Sequence, residues 1–263
     1  MYLCQRDALF QYFHGRCLMN VFTSNKLQDT AFSVKTVKMK APDAANSNIR
    51  QPESFASLDG GGWLQLGLKR AFDIFGATSA LIILFPVLLT IALLIVIDDG
   101  GPVFFRQIRW GRKGSKITVY KFRSMRADLC DPTGVEQTVK GDRRVTRIGT
   151  FLRKTNIDEL PQLLNVIKGD MSLVGPRCHA INMRAAGMLY EELVPEYHYR
   201  HLMRPGITGL AQTRGWRGPT ERPTEARARI ASDIYYIRNF SLWLDMKILL
   251  GTLLSELRGG TGF

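Results

Sequence analysis

IFGATSALIILFPVLLTIALLIVI, Ile74–Ile97, is a run of 24 residues without a charged side chain. As a helix it would extend about 36 Å, enough to cross the ~30 Å hydrocarbon core of a bilayer. Two features turn the reading away from a simple span. Pro86 stands at its middle, where the missing N–H and the ring kink a helix. Basic residues flank both ends, Lys69 and Arg70 before it and Arg106, Arg109, Arg112, Lys113 and Lys116 after it, whereas a spanning segment keeps them on one side. The expectation is a re-entrant helix-break-helix hairpin about Pro86 with both ends cytoplasmic. The alternative is a tilted, Pro-kinked spanning helix, because neighbouring groups re-satisfy such kinks in membranes.

Upstream, Met1 to about Gly62 is polar and aperiodic and closes on Leu58, Asp59 and the Gly60–Gly62 triplet, which reads as a disordered tail and a flexible linker. Leu9, Phe10, Tyr12 and Phe13 suit one helical turn, and Met19 and Met39 offer downstream starts. Arg6, Asp7 and Arg16 interrupt any cleavable signal segment. The chain of 263 residues, 45% hydrophobic, thus divides into a tail (1–65), a membrane segment (66–100) and a cytoplasmic, membrane-associated domain (101–263). Cys4, Cys17, Cys130 and Cys178 show no CxxC or zinc spacing and read as reduced thiols.

The net charge of +13 points to an anionic partner: nucleic acid, acidic membrane or phosphorylated substrate. Residues 101–154 supply much of it, with 14 Lys or Arg against 4 Asp or Glu. Here VFFRQIRW and ITVYKFRSM flank the Gly111–Ser115 turn, as in a β-hairpin. GRKGSK lacks the GxxxxGK[ST] spacing of a phosphate loop.

TNIDELPQLLNVIK, Thr155–Lys168, repeats apolar Ile157, Leu160, Leu164 and Ile167 at helical spacing, with Asn156 three residues before Glu159 as in a capping box and Pro161 near the first turn. A further helix is expected around Ile181–Leu193. RPGITGLAQ, Arg204–Gln212, is loop or strand edge. From Ile230 to Leu257 helix returns, and its stripe of Leu242, Met246, Leu249, Leu250, Leu253 and Leu257 suits either core packing or a membrane-interfacial helix.

Asp158 and Glu159 fit a helix N-terminus without any further role. Their basic surroundings, Arg143, Arg144, Arg147, Arg153 and Lys154 upstream and Lys168 and Arg177 downstream, would instead keep a carboxylate ionised beside phosphate-binding groups. An ionised Asp is a competent nucleophile for phosphoryl chemistry, and a neighbouring Glu can hold a divalent metal or act as acid or base. Successive helical residues point about 100° apart, so the two carboxylates serve different roles.

LKRAFDI before the apolar run, YKFRSM (Tyr120–Met125), RVTRIGTFLRKTNIDELPQLLNVIKGDMSLVGPR (Arg144–Arg177), RPGITGLAQ and SLWLDMKILL (Ser241–Leu250) together resemble the bacterial sugar transferase family, the monotopic polyprenyl-phosphate phosphoglycosyl transferases, over about Leu66–Phe263. The resemblance implies an α+β, mainly helical fold with a re-entrant membrane helix, interfacial amphipathic helices and a short β-hairpin. It implies transfer of a sugar 1-phosphate from a UDP-sugar to undecaprenyl phosphate with release of UMP and use of Mg²⁺, at the cytoplasmic face of the bacterial inner membrane, as the first step of exopolysaccharide or other surface-glycan synthesis. Asp158 matches the family's nucleophile, Glu159 its metal-associated partner, Arg153 and Arg177 its phosphate-binding arginines, with Arg204 assigned to phosphate as well, and Pro86 its re-entrant kink. GWRGPTE, Gly215–Glu221, resembles members that use UDP-glucose more than those that use UDP-galactose or N-acetylated sugars. Cys178 and Leu210 depart from the usual Pro and Trp.

Competing readings are weaker. A nucleic-acid binder lacks helix-turn-helix, RNP and zinc signatures. A non-catalytic scaffold of a polysaccharide machine would not need the intact acidic pair. Cys178 and His179 are sequence neighbours that point apart in an extended loop, and His198 and His201 lack a third metal ligand. Membrane lipid is an expected partner, nucleic acid is not, and self-association into a homo-oligomer is left open.

Overall fold

The structure, a computed structural model, describes residues 62–126, 129 and 141–257. Residues 1–61 of the expected tail (1–65), with the first two glycines of the linker and Cys4 and Cys17, and also Cys130, lie outside the described residues, while 62–65 open the first helix.

Helix α1 (Gly62–Asp99) contains the whole apolar run. It is long and apolar enough to cross a membrane and is barely covered by the rest of the protein; Ile83 is 73% and Ile97 79% exposed. The expected break does not divide it, for the helix is continuous through Pro86. Proline removes one backbone bond at an interior position, a cost of ~3 kcal/mol or more, and the remaining turns keep theirs. Its small and β-branched positions carry the packing. Ala77, with Ala80 and Leu81, meets Val119, Leu163, Val166 and Met171; Ile91 and Ile95 meet Phe122 and Leu152.

The hairpin forms as expected. Strands β1 (Phe104–Trp110) and β2 (Lys116–Phe122) pair antiparallel with Gln107 opposite Val119, and Ile117 and Val119 alternate into the core. Helix α2 (Arg147–Lys154) follows, capped by Thr146, whose side chain accepts from Gly149 N.

The single helix expected over Thr155–Lys168 is two pieces. Ile157–Glu159 is a 3₁₀ turn, and α3 (Gln162–Lys168) begins after Pro161. Asn156 sits at φ 55° and makes no side-chain cap; its Nδ2 donates to Glu256 at 3.0 Å. No capping box forms, which frees Glu159 for other partners. Buried Asn165 of α3 accepts from Tyr120 N (3.0 Å) and donates to Thr118 O (2.6 Å), fixing α3 against β2.

Strand β3 (Ser172–Val174) pairs in parallel with β6 (Gly206–Thr208), inside the RPGITGLAQ loop. A Cβ on Gly206 would lie 2.1 Å from Gly175 N, so only glycine lets these two backbones meet. The helix expected around Ile181–Leu193 is a tight turn between β4 (Arg184–Ala185) and β5 (Met188–Leu189), followed by α4 (Tyr190–Leu193). Asn182, Ala186 and Gly187 at positive φ break any helix there. After α5 (Leu210–Thr213), the expected C-terminal helix is divided into α6 (Pro223–Arg238) and α7 (Leu242–Leu257). Ile248 faces inward and Leu249 packs on the core, while Met246, Leu250 and Leu253 of the stripe, with Trp243 beside them, are exposed. The stripe is therefore divided between the core and the outer face.

Candidate active site

Asp158 and Glu159 stand on the 3₁₀ turn, between β2 and the loop that leaves β3. Lys121 Nζ of β2 lies 2.7 Å from Glu159 Oε1. Arg177, in the Gly175–Arg177 loop, donates from Nη1 to Glu159 Oε2 at 2.9 Å and from Nη2 to Oε1. Burial opposes ionisation of Glu159, but the Arg177 guanidinium and the Lys121 ammonium hold its carboxyl well below the usual range. Arg177 is raised in turn, chiefly by Glu159.

Asp158 is buried, at 8% exposure. Its carboxyl is pushed up to about 6 by burial, against the pull of Lys121, with the Glu159 charge adding to the rise and Arg153 and Arg177 opposing it. The two carboxyl groups thus sit in unlike surroundings: two cations favour the anion of Glu159, whereas burial raises Asp158.

Arg153, in the last turn of α2, reaches Ser124 Oγ at 3.4 Å. The loop bearing Arg177 is held from behind, since buried Arg200 pairs with Asp233 of α6 at 2.8 Å and donates to Arg177 O. Cys178 packs among Ala77, Ile117 and Val119. His179 is buried against Tyr190 and Tyr197, its pKa lowered by burial and then by Arg200.

Asp158, Glu159, Arg153 and Arg177 therefore come together. Arg204 does not join them: its Nε donates to Gly169 O at 2.9 Å, and it lines a separate cleft with Arg70 and Arg112. Pro86 lies in α1, exposed. Lys121 and Asn165 were not singled out from the sequence. Lys121 sits inside the YKFRSM motif, which was the available signal; Asn165 reads as an ordinary helix residue.

Among the described residues no group of three or more His, Cys, Asp or Glu is placed to hold a metal. Magnesium, however, is bound in phosphate-handling enzymes by one or two carboxylates, waters and the substrate's own phosphates. Glu159 would be the carboxylate to hold such an ion, alongside its contacts with Lys121 and Arg177, and Asp158 is its neighbour in the turn.

A family model described as "Bacterial sugar transferase" matches residues 64–259. The "Exopolysaccharide production protein PSS" of Rhizobium leguminosarum bv. phaseoli is 68% identical over 200 residues, covering 76% of this chain and 100% of that protein. The "UDP-glucose:undecaprenyl-phosphate glucose-1-phosphate transferase" of Escherichia coli (strain K12) is 47% identical over 186 residues, 71% of this chain and 39% of that protein. The "UDP-N-acetylgalactosamine-undecaprenyl-phosphate N-acetylgalactosaminephosphotransferase" of Aeromonas hydrophila is 43% identical over 192 residues, 73% of this chain and 44% of that protein. The chain thus spans well under half the length of the latter two.

Proposed function

The chain belongs to the bacterial sugar transferase family, and from that membership we propose that it transfers a sugar 1-phosphate from a UDP-sugar to undecaprenyl phosphate, committing the sugar to a surface glycan. Supporting this most directly is the buried Asp158 carboxyl among Lys121, Arg153 and Arg177, beside an ion-paired Glu159. UDP-glucose is the preferred donor in this proposal, because that sugar nucleotide appears in the names of relatives 41–49% identical to the chain. UDP-N-acetylgalactosamine, named in a relative 43% identical, and UDP-galactose, named in one 38% identical, are the alternatives.

In the first half-reaction an Asp158 carboxylate oxygen attacks the phosphorus bearing the sugar. An Asp158 O–P bond forms, the bond to the bridging diphosphate oxygen breaks, and UMP leaves with that electron pair. In the second, a phosphate oxygen of the acceptor attacks the same phosphorus and Asp158 departs as a carboxylate. Dividing one displacement into two is the usual gain of a covalent nucleophile. Arg153, Arg177 and Lys121 offset charge on the non-bridging oxygens, in a site held by β2, α2 and the β3 loop before substrate arrives. Mg²⁺, when bound, supplies further positive charge to the diphosphate through Glu159. Glu159 also keeps Arg177 oriented.

The membrane part of the proposal is that α1 enters the bilayer from the cytoplasmic side and keeps both ends there, without the break expected at Pro86. Both halves of α1 pack against the one polar domain, and its charged ends are tied there, Lys69 to Asp245 at 2.7 Å and Asp99 to Arg123 at 3.2 Å. A helix crossing the bilayer would have to place those ends on opposite sides. The exposed apolar face of α7 suits the interface beside it.

The reaction is tested with purified protein, UDP-glucose and Mg²⁺ without acceptor. UMP release and a phosphosugar mass increment on Asp158 are expected, and turnover by Asp158→Asn would remove the nucleophile assignment.

A further inference from the structure

A cleft of about 120 Å³, lined by none of Asp158, Glu159, Arg153 and Arg177, lies where the first turns of α1 meet Arg112, Arg204 and Phe240. One wall is cationic. Arg70 of α1 donates to Val166 O (2.7 Å) and Ile167 O (2.9 Å) at the C-terminal end of α3. Arg204 holds Gly169 O, and Arg112 reaches Leu202 O at 3.3 Å. The other wall is apolar: Leu66, Met203, Ile237 and Phe240.

Among the described residues, none of Arg70, Arg112 and Arg204 forms an ion pair with a carboxylate. Arg112 and Arg204 are each anchored to a backbone carbonyl through Nε, whereas Arg70 gives both terminal nitrogens to carbonyls and has Asp73 nearby. Asp73, the one acidic residue lining the cleft, is engaged by Ser172 Oγ (2.8 Å), Leu173 N (3.0 Å) and Lys69 (3.7 Å). Arginines held this way without a carboxylate are a phosphate receptor awaiting its anion. The apolar wall continues onto α1, where Leu64 and Leu68 are exposed, so a chain attached to the phosphate has a surface to follow.

We infer that this cleft binds the phosphate of an anionic membrane phospholipid, with the acyl chains lying along the first turns of α1. The lining of this cleft shares no residue with the site built from Asp158, Glu159, Lys121, Arg153 and Arg177. The site is therefore separate from the transfer reaction and independent of the function proposed above. Basic pockets beside membrane helices recognise lipid phosphates by the same physics.

The test counts lipid retained by the full chain, by native mass spectrometry, after extraction from nanodiscs of phosphatidylcholine with or without 30 mol% phosphatidylglycerol, no sugar nucleotide being present. One phosphatidylglycerol per chain is expected. Retention should fall about tenfold in Arg112→Gln, at an exposed position that should not disturb folding, and in Arg204→Gln. Thermal melting serves as the second measurement: phosphatidylglycerol should raise the midpoint of the wild type and not of the variants. Equal retention of the two lipids, or unchanged retention in both variants, overturns the inference. Equal protection by millimolar inorganic phosphate assigns the site to free phosphate and overturns the lipid reading. Displacement of phosphatidylglycerol by undecaprenyl phosphate, with a raised acceptor KM in the variants, makes it an acceptor subsite and does the same.

Discussion

Arg177 meets Glu159 with two nitrogens on two oxygens, Nη1 to Oε2 at 2.9 Å and Nη2 to Oε1. The fork fixes the guanidinium plane, and Lys121 closes the same carboxylate from the β2 side at 2.7 Å. Arg177 is thereby presented as a rigid plane to whatever anion lies beside Asp158.

The fork makes substitution by lysine inadequate. An ammonium cannot bridge both oxygens, so Arg177→Lys should keep the fold and lose about 10²-fold in kcat, the scale of losing one preorganised donor. Glu159→Gln should lose activity and also ~1–3 kcal/mol of stability, because Lys121 and Arg177 are left facing a neutral amide. Initial rates and melting curves on the two variants check both. An Arg177→Lys enzyme with wild-type kcat would show that the fork does nothing for the reaction.

Asp158 should be a stability cost. Its carboxyl is pushed to about 6 in the fold from an ordinary 3.8, so the folded state binds a proton that the unfolded chain has released between those values. Stability then falls as pH rises from about 4 through 6, by on the order of 3 kcal/mol. Asp158→Asn carries no such term, so it should melt higher than wild type at pH 7.5, with the gap closing near pH 4. Coincident melting curves at both pH values would contradict the burial argument.

The same shift sets the pH–rate profile. Attack on phosphorus needs the carboxylate, so kcat/KM for UMP release should rise tenfold per pH unit below about 6 and level off above it. A profile flat from pH 5 to 8 would mean that Asp158 is not the group titrating.

The acidic pair, its arginines, the hairpin and the membrane-length helix were legible because each is a local pattern: charge density, apolar length, alternation around a turn. The split of Thr155–Lys168 was not. Asn156 looked like a cap, yet it adopts φ 55° and turns to Glu256, a partner 100 residues away that periodicity cannot register. Lys121 and Asn165 were hidden for the same reason, since their roles arise where β2 crosses α3. Arg204, assigned to phosphate by its motif, reaches Gly169 O and lines the cleft with Arg70 and Arg112, away from Arg153 and Arg177.

LKRAFDI and SLWLDMKILL acquire a physical reason from one buried contact. Lys69 Nζ joins Asp245 Oδ2 at 2.7 Å and Val174 O at 3.0 Å, and Tyr236 OH donates to Asp245 Oδ1 at 2.7 Å. Lys69→Met should cost ~3–5 kcal/mol by leaving Asp245 charged and buried. The double substitution Lys69→Met with Asp245→Leu should recover part of it. Urea unfolding of the four-membered cycle measures the coupling; strict additivity would show the pair to be energetically independent.

The ends of α1 make the last expectation. Lys69 and Asp73 bind α7 and β3 at one end, while Asp98 accepts from Ile148 N at 3.3 Å and Asp99 pairs with Arg123 at the other. Both sets of partners belong to the polar domain that carries Asp158, and a polar domain of this charge does not straddle a bilayer. Single cysteines at Gln65 and Ser255, in a chain otherwise without cysteine, should therefore both resist a membrane-impermeant maleimide in intact spheroplasts and both react after permeabilisation. Reaction of one site alone before permeabilisation would place the two on opposite sides. The apolar stretch would then be a span, and the contacts that tie both its ends to one domain could not all form in the membrane.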